Sequence, residues 1–233
     1  MEFYVDDHAA LIGYLAKSAE EAAGEKGLKA IARAMVVYGR ERGLRCAMRC
    51  LADGGELSGR NFLLYGEWAD DKGWNRSKVI SSNPHLVVEM ERCGWHDSWG
   101  KYGLEKYGAL LCDWIDHSLL YGFNPQLRLG LSEVLTHGGC GCRYEWVDAV
   151  FADDEDYRAY MRLRAEMVPR VTKDFLYHCG HVYATFHRVL LVELGLVAGR
   201  RIVDGGLTEY ARQFGEDKSL AIVAESRRDF LTI

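Results

Sequence analysis

This chain of 233 residues has few prolines, no long apolar run and only a small excess of acidic over basic side chains. It has only three prolines, and 34 acidic residues nearly balance 29 basic ones. No stretch approaches the roughly 18 uninterrupted apolar residues of a membrane-spanning helix. The N-terminal sequence MEFYVDDHAA is acidic and has no apolar run, so we expect no signal peptide. We therefore expect a cytoplasmic protein that enters no membrane and binds no nucleic acid, because nucleic-acid binding needs a concentrated basic face.

Low-complexity segments, internal repeats and linkers are also absent, so we expect residues 1–233 to form a single domain. The seven cysteines are an odd number, which argues against a complete disulfide framework, and in the reducing cytosol they are expected to be thiols. The motifs G-x-G-x-x-G, the P-loop and G-x-S-x-G do not occur. Nucleotide-cofactor and α/β-hydrolase chemistry therefore have no support.

Helical spacing of apolar residues predicts several helices. Their expected ranges are about 8–22, Gly27 to the turn at 53–55, 104–120, 153–167, 171–194 and 204–214. Gly122 is expected to stop the helix at 104–120, and Pro169 is expected to break or kink the chain after 167. The segment 61–68 is predicted as a helical turn or a strand, and 93–100 as a polar loop.

Two segments have the period of two that is typical of a half-buried strand. Leu127, Leu129 and Leu131 alternate with polar or small residues, and the turn at 137–139 precedes a second alternating run. This pattern predicts an antiparallel hairpin of 126–135 and 141–148. A further strand is predicted at 85–90. Together these elements predict an α+β fold, with helices packed around a small antiparallel sheet.

Two groups of polar residues are interpreted as structural. The basic positions Arg40, Arg42, Arg45 and Arg49 are expected to form one solvated side of a helix. His178 and His181 flank a buried stripe at helical spacing and are expected at the boundary of the core or on the surface.

The densest candidate for a site is the stretch from Cys93 to Trp146, which contains four of the seven cysteines. On the helix at 104–120, Cys112 and Asp116 are four residues apart and share one face. A thiolate is the reactive form of cysteine, and an acidic neighbour alone would raise the thiol pKa. Cys112 therefore needs a cationic or donor partner, for which His96 and His137 are candidates.

A metal site is the alternative use of the same residues. Cys93, His96, Cys112, Cys140 and Cys142 would supply four ligands if the loop, helix and hairpin converge. The C-x-C spacing of Cys140 and Cys142 differs from the C-x₂-C that zinc sites favour. We therefore expect no cofactor, with zinc as the less favoured alternative.

An ordered set of motifs resembles the L-2-amino-thiazoline-4-carboxylic acid hydrolase family. The set comprises Cys93 after a strand, Tyr107-Gly-x₃-Cys112-x₃-Asp116, Gly122-Phe-Asn-Pro125, and Gly138-Gly-Cys-Gly-Cys142-Arg-Tyr-Glu-Trp146. The resemblance covers roughly residues 30 to 200 and is strongest from 88 to 147.

The resemblance implies hydrolysis of a cyclic amidine-type ring in a small-molecule substrate. Such chemistry needs a nucleophile, a proton donor for the leaving atom and a donor for the substrate carboxylate. The implied nucleophile is Cys112 or Cys93, and Asp116 or His96 transfers protons. Cys142 is either structural support or a third thiol of the site, and Arg128 and Arg143 are candidates for the carboxylate. Assembly into a homo-oligomer is left open.

Two other functions remain as alternatives. The glycine-rich hairpin also resembles small-molecule-binding sensor domains of the four-vinyl-reductase type, which carry a zinc site. The corresponding positions near Leu131 and Val134 are apolar here, and the chain has no evident output module. The third alternative is a protein-interaction scaffold with buried cysteines.

Overall fold

The computed structural model describes residues 1–70 and 72–233. The helices are α1 (Val5–Ala52), α2 (Gly59–Leu64), α3 (Gly94–Tyr102), α4 (Glu105–Phe123), α5 (Asp154–Val171), α6 (Phe175–Leu194), α7 (Leu196–Phe214) and α8 (Glu216–Glu225). The strands are β1 (Arg76–Ser81), β2 (Leu86–Arg92), β3 (Leu129–Leu131) and β4 (Cys142–Trp146). The α+β prediction is confirmed.

The chain falls into two compact units. The helical unit comprises residues 1–38, 94–116 and 174–230, and the sheet unit comprises residues 39–93, 117–173 and 231–233. Each unit has its own apolar core. The core of the helical unit is built around Leu11, Leu15 and Phe186, and that of the sheet unit around Phe62, Phe123 and Phe151.

The four strands form one antiparallel sheet in the order β1-β2-β4-β3. The predicted hairpin is present as β3 and β4, with Leu129 opposite Trp146 and Leu131 opposite Tyr144. The strand predicted at 85–90 is β2. The sequence pattern does not indicate β1, because its residues are almost all exposed and therefore lack an apolar alternation.

Helix α1 is two helices joined by a kink at Gly24. Gly24 has φ 55° and ψ −137°, a backbone conformation that only glycine adopts without strain. After the kink the chain returns along itself, and a Cβ at Gly27 would lie 2.0 Å from the carbonyl oxygen of Ala19. The two helices predicted on either side of this point are therefore confirmed.

Gly122 does not end α4, which continues to Phe123. A Cβ at this position would lie 2.3 Å from the carbonyl oxygen of Arg40. A Cβ at Gly43 would lie 2.0 Å from the carbonyl oxygen of Leu119. The prediction that Gly122 stops the helix was wrong. This glycine instead allows the backbones of α4 and α1 to approach closely.

Pro169 does not end or interrupt a helix either. It lies inside α5, which begins after the N-cap Asp153 and ends at Val171. The hydrogen bond that proline cannot donate falls in the last turn, where its loss removes little from the helix. Of the predicted break or kink at Pro169, the break was therefore wrong.

Helices also occupy two places where the sequence indicates none. Residues 94–102, predicted as a loop, form α3, and α8 follows α7 after Gly215. No helix among residues 1–70 and 72–233 is both long and apolar enough to cross a membrane.

Candidate functional site

Two of the predicted site cysteines belong to the sheet unit. Cys93 directly follows β2 and is partly exposed. Cys142 begins β4, is buried, and lies opposite Met90 of β2. Its Sγ accepts a hydrogen bond from the backbone N–H of Leu135 at 3.3 Å. Cys142 therefore holds the turn between β3 and β4, which favours its role as structural support.

The other predicted site residues belong to the helical unit. His96 lies in α3 with its side chain 39% exposed, and its Nδ1 is 4.0 Å from a carboxylate oxygen of Asp97. Cys112 and Asp116 are partly buried on α4, one helical turn apart, and Cys112 packs against the core of the helical unit. The shared helix face of Cys112 and Asp116 is thus present.

The two arginines expected to meet a substrate carboxylate each contact an acidic side chain of the sheet unit. Arg128 donates to Asp148 at 2.7 Å, and this hydrogen bond raises the pKa of the guanidinium. Arg143 lies opposite Glu89 in the sheet, with their charged atoms 4.0 Å apart. Both arginines thus have a structural use in the folded chain.

None of the seven cysteines, all of which are described, is joined in a disulfide. Within residues 1–70 and 72–233, no group of three or more His, Cys, Asp or Glu side chains is arranged to hold a metal ion.

A buried hydrogen-bonded chain in the helical unit was missed by the sequence analysis. The indole N–H of Trp95 donates to Nδ1 of His8 at 2.9 Å, and Nε2 of His8 lies 3.0 Å from the hydroxyl oxygen of Tyr38. His8 and Tyr38 are both buried. Because the kink at Gly24 turns α1 back on itself, residues 8 and 38 face each other across the two halves of the helix.

These contacts fix the tautomer of His8. An indole nitrogen is a donor only, so Nδ1 of His8 must accept and carries no proton. The neutral ring then carries its proton on Nε2, which donates to the oxygen of Tyr38. The three side chains therefore form a chain of donors running in one direction, from Trp95 through His8 to Tyr38. A histidine fixed in one tautomer is a common component of proton-transfer sites.

Two further histidines are buried beside this chain. His178 and His181 on α6 are 0% and 1% exposed, so the expectation that they lie at the boundary or on the surface was wrong. The ring of Tyr38 meets that of His181 edge to face at 4.8 Å, and the ring of His178 meets that of His8 edge to face at 6.3 Å. The helical period shows only which residues share a face of α6. It does not show that α1, α7 and α8 all pack against this helix and bury more than one of its faces.

The basic stretch of α1 was expected to be a solvated face, and this was wrong for Arg42, Arg45 and Arg49, whose side chains are 3%, 0% and 12% exposed. Arg40 is exposed, as expected. In the sheet unit, Arg45 donates to both carboxylate oxygens of Glu67 at 2.6 and 2.7 Å. Arg49 donates to the same carboxylate at 2.8 Å and Arg42 at 3.4 Å. Arg42 also lies over the ring of Trp68, at 4.6 Å from its centroid. The side chains of Arg45 and Glu67 are fully buried.

This cluster controls the ionisation of Glu67. Burial alone would raise the pKa of the Glu67 carboxyl, but the hydrogen bonds and charges of Arg45, Arg42 and Arg49 outweigh it and hold the pKa at about 2. Burial is also the main cause that raises the pKa of the nearby Cys46 thiol to about 12. Cys46 is therefore protonated at neutral pH and is not a nucleophile.

A second buried carboxylate lies in the helical unit next to His8. Asp7 accepts hydrogen bonds from the hydroxyl of Tyr210 at 2.7 Å and from the ammonium group of Lys218 at 2.7 Å. Burial raises the pKa of Tyr210, and the hydrogen bond to Asp7 raises it further. Tyr210 therefore stays a protonated donor. The hydrogen bonds from Tyr210 and Lys218 to Asp7 tie the start of α1 to α7 and α8.

Comparison with known proteins gives one match. The family model of the L-2-amino-thiazoline-4-carboxylic acid hydrolases matches residues 5–146. No curated protein and no solved structure gives a significant match. The matched residues are more than half of the chain and include all five predicted site residues, as well as His8, Tyr38 and Trp95. The chain belongs to the L-2-amino-thiazoline-4-carboxylic acid hydrolase family.

Proposed function

We propose that this protein is a hydrolase that opens a small cyclic amidine-type ring at a non-peptide C–N bond. The substrate is 2-amino-thiazoline-4-carboxylate or a close relative. The family match over residues 5–146 carries this proposal, because the name of the family describes hydrolysis of that ring.

The proposed reaction adds one water molecule to the substrate. The water oxygen bonds to the ring carbon between nitrogen and sulfur, either directly or after a thiolate has added there. The ring C–N bond then breaks, and the leaving nitrogen takes a proton and becomes an amine. The product is cysteine with a carbamoyl group on its sulfur. The protein must therefore supply a nucleophile or water activator and a proton donor for the ring nitrogen.

The roles proposed for individual residues follow from the chemistry of their side chains. Cys112 or Cys93 is the nucleophile, and Asp116 or His96 transfers the proton. Cys112 and Asp116 have the better support, because both are partly buried on the same face of α4. A helix holds reactive groups more precisely than a loop does. Cys142 supports the hairpin through its contact with Leu135.

The test is incubation of the purified protein with 2-amino-thiazoline-4-carboxylate in water enriched in ¹⁸O. We expect mass spectrometry to detect carbamoyl-cysteine with one ¹⁸O in the carbamoyl group. The aromatic 2-amino-thiazole-4-carboxylate is the control substrate, and it should stay intact because opening it would destroy the aromatic ring. A rate of ring opening equal to that of a protein-free solution would contradict the proposed function.

A further inference from the structure

A groove between α7 and α8 in the helical unit contains none of the residues proposed for ring opening. Its volume is about 440 Å³, within the roughly 300–1,000 Å³ that is usual for small-molecule sites. The groove also lies outside residues 5–146, which the family model matches. It is lined mainly by Asp204, Leu207, Ala211, Arg212, Glu216 and Ser219.

The hydroxyl group of Ser219 is the first feature of the groove that points to a ligand. Ser219 is only 8% exposed. Across residues 1–70 and 72–233, no hydrogen bond joins this hydroxyl to the protein, although buried hydroxyl groups are normally paired. Thr208, which also lines the groove, shows the usual arrangement, since its hydroxyl donates to the carbonyl oxygen of Asp204 at 2.7 Å. The Ser219 hydroxyl is therefore available to a molecule that enters the groove.

The negative charge of the rim is the second feature. Asp204 on α7 and Glu216 on α8 are exposed, and neither carboxylate forms an ion pair within the part of the chain that the structure describes. The cation of the lining is Arg212, which pairs with Glu209 on its own helix. Two carboxylates from different helices thus face one groove without a counter-charge from Arg212.

Lys218 does not neutralise the rim either. Its ammonium group donates to the buried carboxylate of Asp7 at 2.7 Å and so faces the interior. Glu216 lies in the first turn of α8, where the helix dipole favours a negative charge, and this gives Glu216 a structural use. Asp204 lies in the middle of α7, where the dipole offers no such stabilisation. We therefore expect Asp204 to attract a cationic ligand more than Glu216 does.

We propose that this groove binds a small primary amine in its ammonium form. An ammonium group has three N–H donors and no acceptor. The groove offers acceptors for these donors at Asp204, Glu216 and the hydroxyl oxygen of Ser219. Leu207 and Ala211 supply apolar lining on which a short alkyl chain packs. The site is separate from the proposed ring opening and does not depend on it.

The experiment is a titration of the ¹⁵N-labelled full chain with n-butylammonium chloride at constant ionic strength, followed by the backbone amide resonances of Ser219 and Ala211. Exposed ion pairs contribute little, so we expect a dissociation constant in the millimolar range. The control probe is n-butyltrimethylammonium, which has the same charge and alkyl chain but no N–H donor. It should bind at least about fivefold more weakly, because it cannot donate to the Ser219 hydroxyl.

Variants test the individual acceptors. Ser219→Ala and Asp204→Asn should each weaken binding of n-butylammonium at least about fivefold, because each removes an acceptor for a charged donor. Asp217→Asn is the matched control, since Asp217 is an exposed carboxylate of α8 outside this groove, and its affinity should be unchanged. Asp204 is exposed, so Asp204→Asn keeps the test valid even if Ser219→Ala fails to fold.

The site would be overturned by equal affinity for the two probes, or by Asp204→Asn binding as tightly as the unmutated chain. Unchanged binding by folded Ser219→Ala would overturn it as well, since exposed carboxylates alone would then account for the binding.

A lysine side chain carries the same butylammonium group as the probe, so Nα-acetyl-lysine N-methylamide is titrated in parallel. Weaker binding of this compound than of n-butylammonium supports a free amine as the ligand. Equal or tighter binding would overturn the free amine and assign the groove to a lysine side chain of a peptide.

Discussion

His8 and Tyr38 are thirty positions apart in the chain, yet Nε2 of His8 lies 3.0 Å from the hydroxyl oxygen of Tyr38. Both residues belong to α1, and they meet because the kink at Gly24 turns one long helical sequence into two facing helices. Trp95, from α3, fixes the proton of His8 on the nitrogen that faces Tyr38. One donor outside α1 therefore determines the direction of the whole hydrogen-bonded chain.

Trp95→Phe tests this relationship. The change removes the indole N–H and leaves Nδ1 of His8 without that donor, and such a loss at a buried acceptor costs about 1–3 kcal/mol of unfolding free energy. Urea unfolding should show this loss, and ¹⁵N imidazole shifts should show that the tautomer of His8 is no longer fixed. Trp114→Phe is the control, because Trp114 is 45% exposed. Equal stability of the two variants would contradict the proposed chain.

Glu67→Gln should change how the stability of the protein depends on pH. The folded pKa of Glu67, about 2, lies below its ordinary value of 4.5, so folding stabilises the ionised form. This contribution is complete above about pH 5, and it is lost as the pH falls through 4.5 towards 2. It amounts to about 3 kcal/mol, from roughly 2.5 pH units at 1.36 kcal/mol each. The unmutated chain should lose this stability on acidification, and Glu67→Gln should not.

The measurement is urea unfolding in a series of buffers from neutral to acidic pH. At neutral pH the variant should already be less stable by about 3–5 kcal/mol, because buried guanidinium groups lose their counter-charge. Glu133→Gln, at an exposed carboxylate, should follow the curve of the unmutated chain. Parallel curves for Glu67→Gln and the unmutated chain would show that the cluster does not hold Glu67 ionised.

Gly108→Ala should destabilise the protein although alanine favours a helix. A Cβ at Gly108 would lie 2.1 Å from the ring of Trp99, which is buried and donates from its indole nitrogen to the backbone of Ala9. Overpacking of this kind typically costs about 1–3 kcal/mol. Gly100→Ala is the control, since its Cβ would meet only a carboxylate oxygen of Glu105 at 3.9 Å. The midpoint temperature of thermal unfolding should therefore fall for Gly108→Ala and stay unchanged for Gly100→Ala.

Cys112→Ser should abolish ring opening and leave the protein folded. Serine has nearly the same size, but its hydroxyl is a much poorer nucleophile at neutral pH without an activating base. Cys140→Ser is the matched control, because Cys140 is an exposed cysteine outside the proposed roles. Hydrolysis of 2-amino-thiazoline-4-carboxylate and thermal unfolding should be measured on the same preparations. Near-normal turnover by folded Cys112→Ser would transfer the role of nucleophile to Cys93.

The helix and strand pattern was accessible to sequence reasoning wherever an element has one apolar face. The alternation of Leu127, Leu129 and Leu131 predicted the hairpin correctly, because a period of two in a short segment indicates a half-buried strand. The exposed strand β1 has no such alternation and was missed. Gly122 and Pro169 were misleading as markers of a helix end, because Gly122 serves a close backbone contact and Pro169 lies in the last turn of α5. The turn at 53–55 and the helix end at 194 were predicted correctly.

The sequence by itself determined the α+β class, the family and the positions of most helices. These properties depend on residues that are close together in the chain, or on motifs whose order alone identifies the family. Only the tertiary structure decided that Arg45 and Glu67 are buried as a pair, and that His8, Tyr38 and His181 share one interior. A helical period shows which side chains lie on one face, but the partner of that face is set by the turn at Gly24 and by packing between distant segments. A charge or an imidazole on that face is therefore solvated or buried according to contacts that local sequence does not encode.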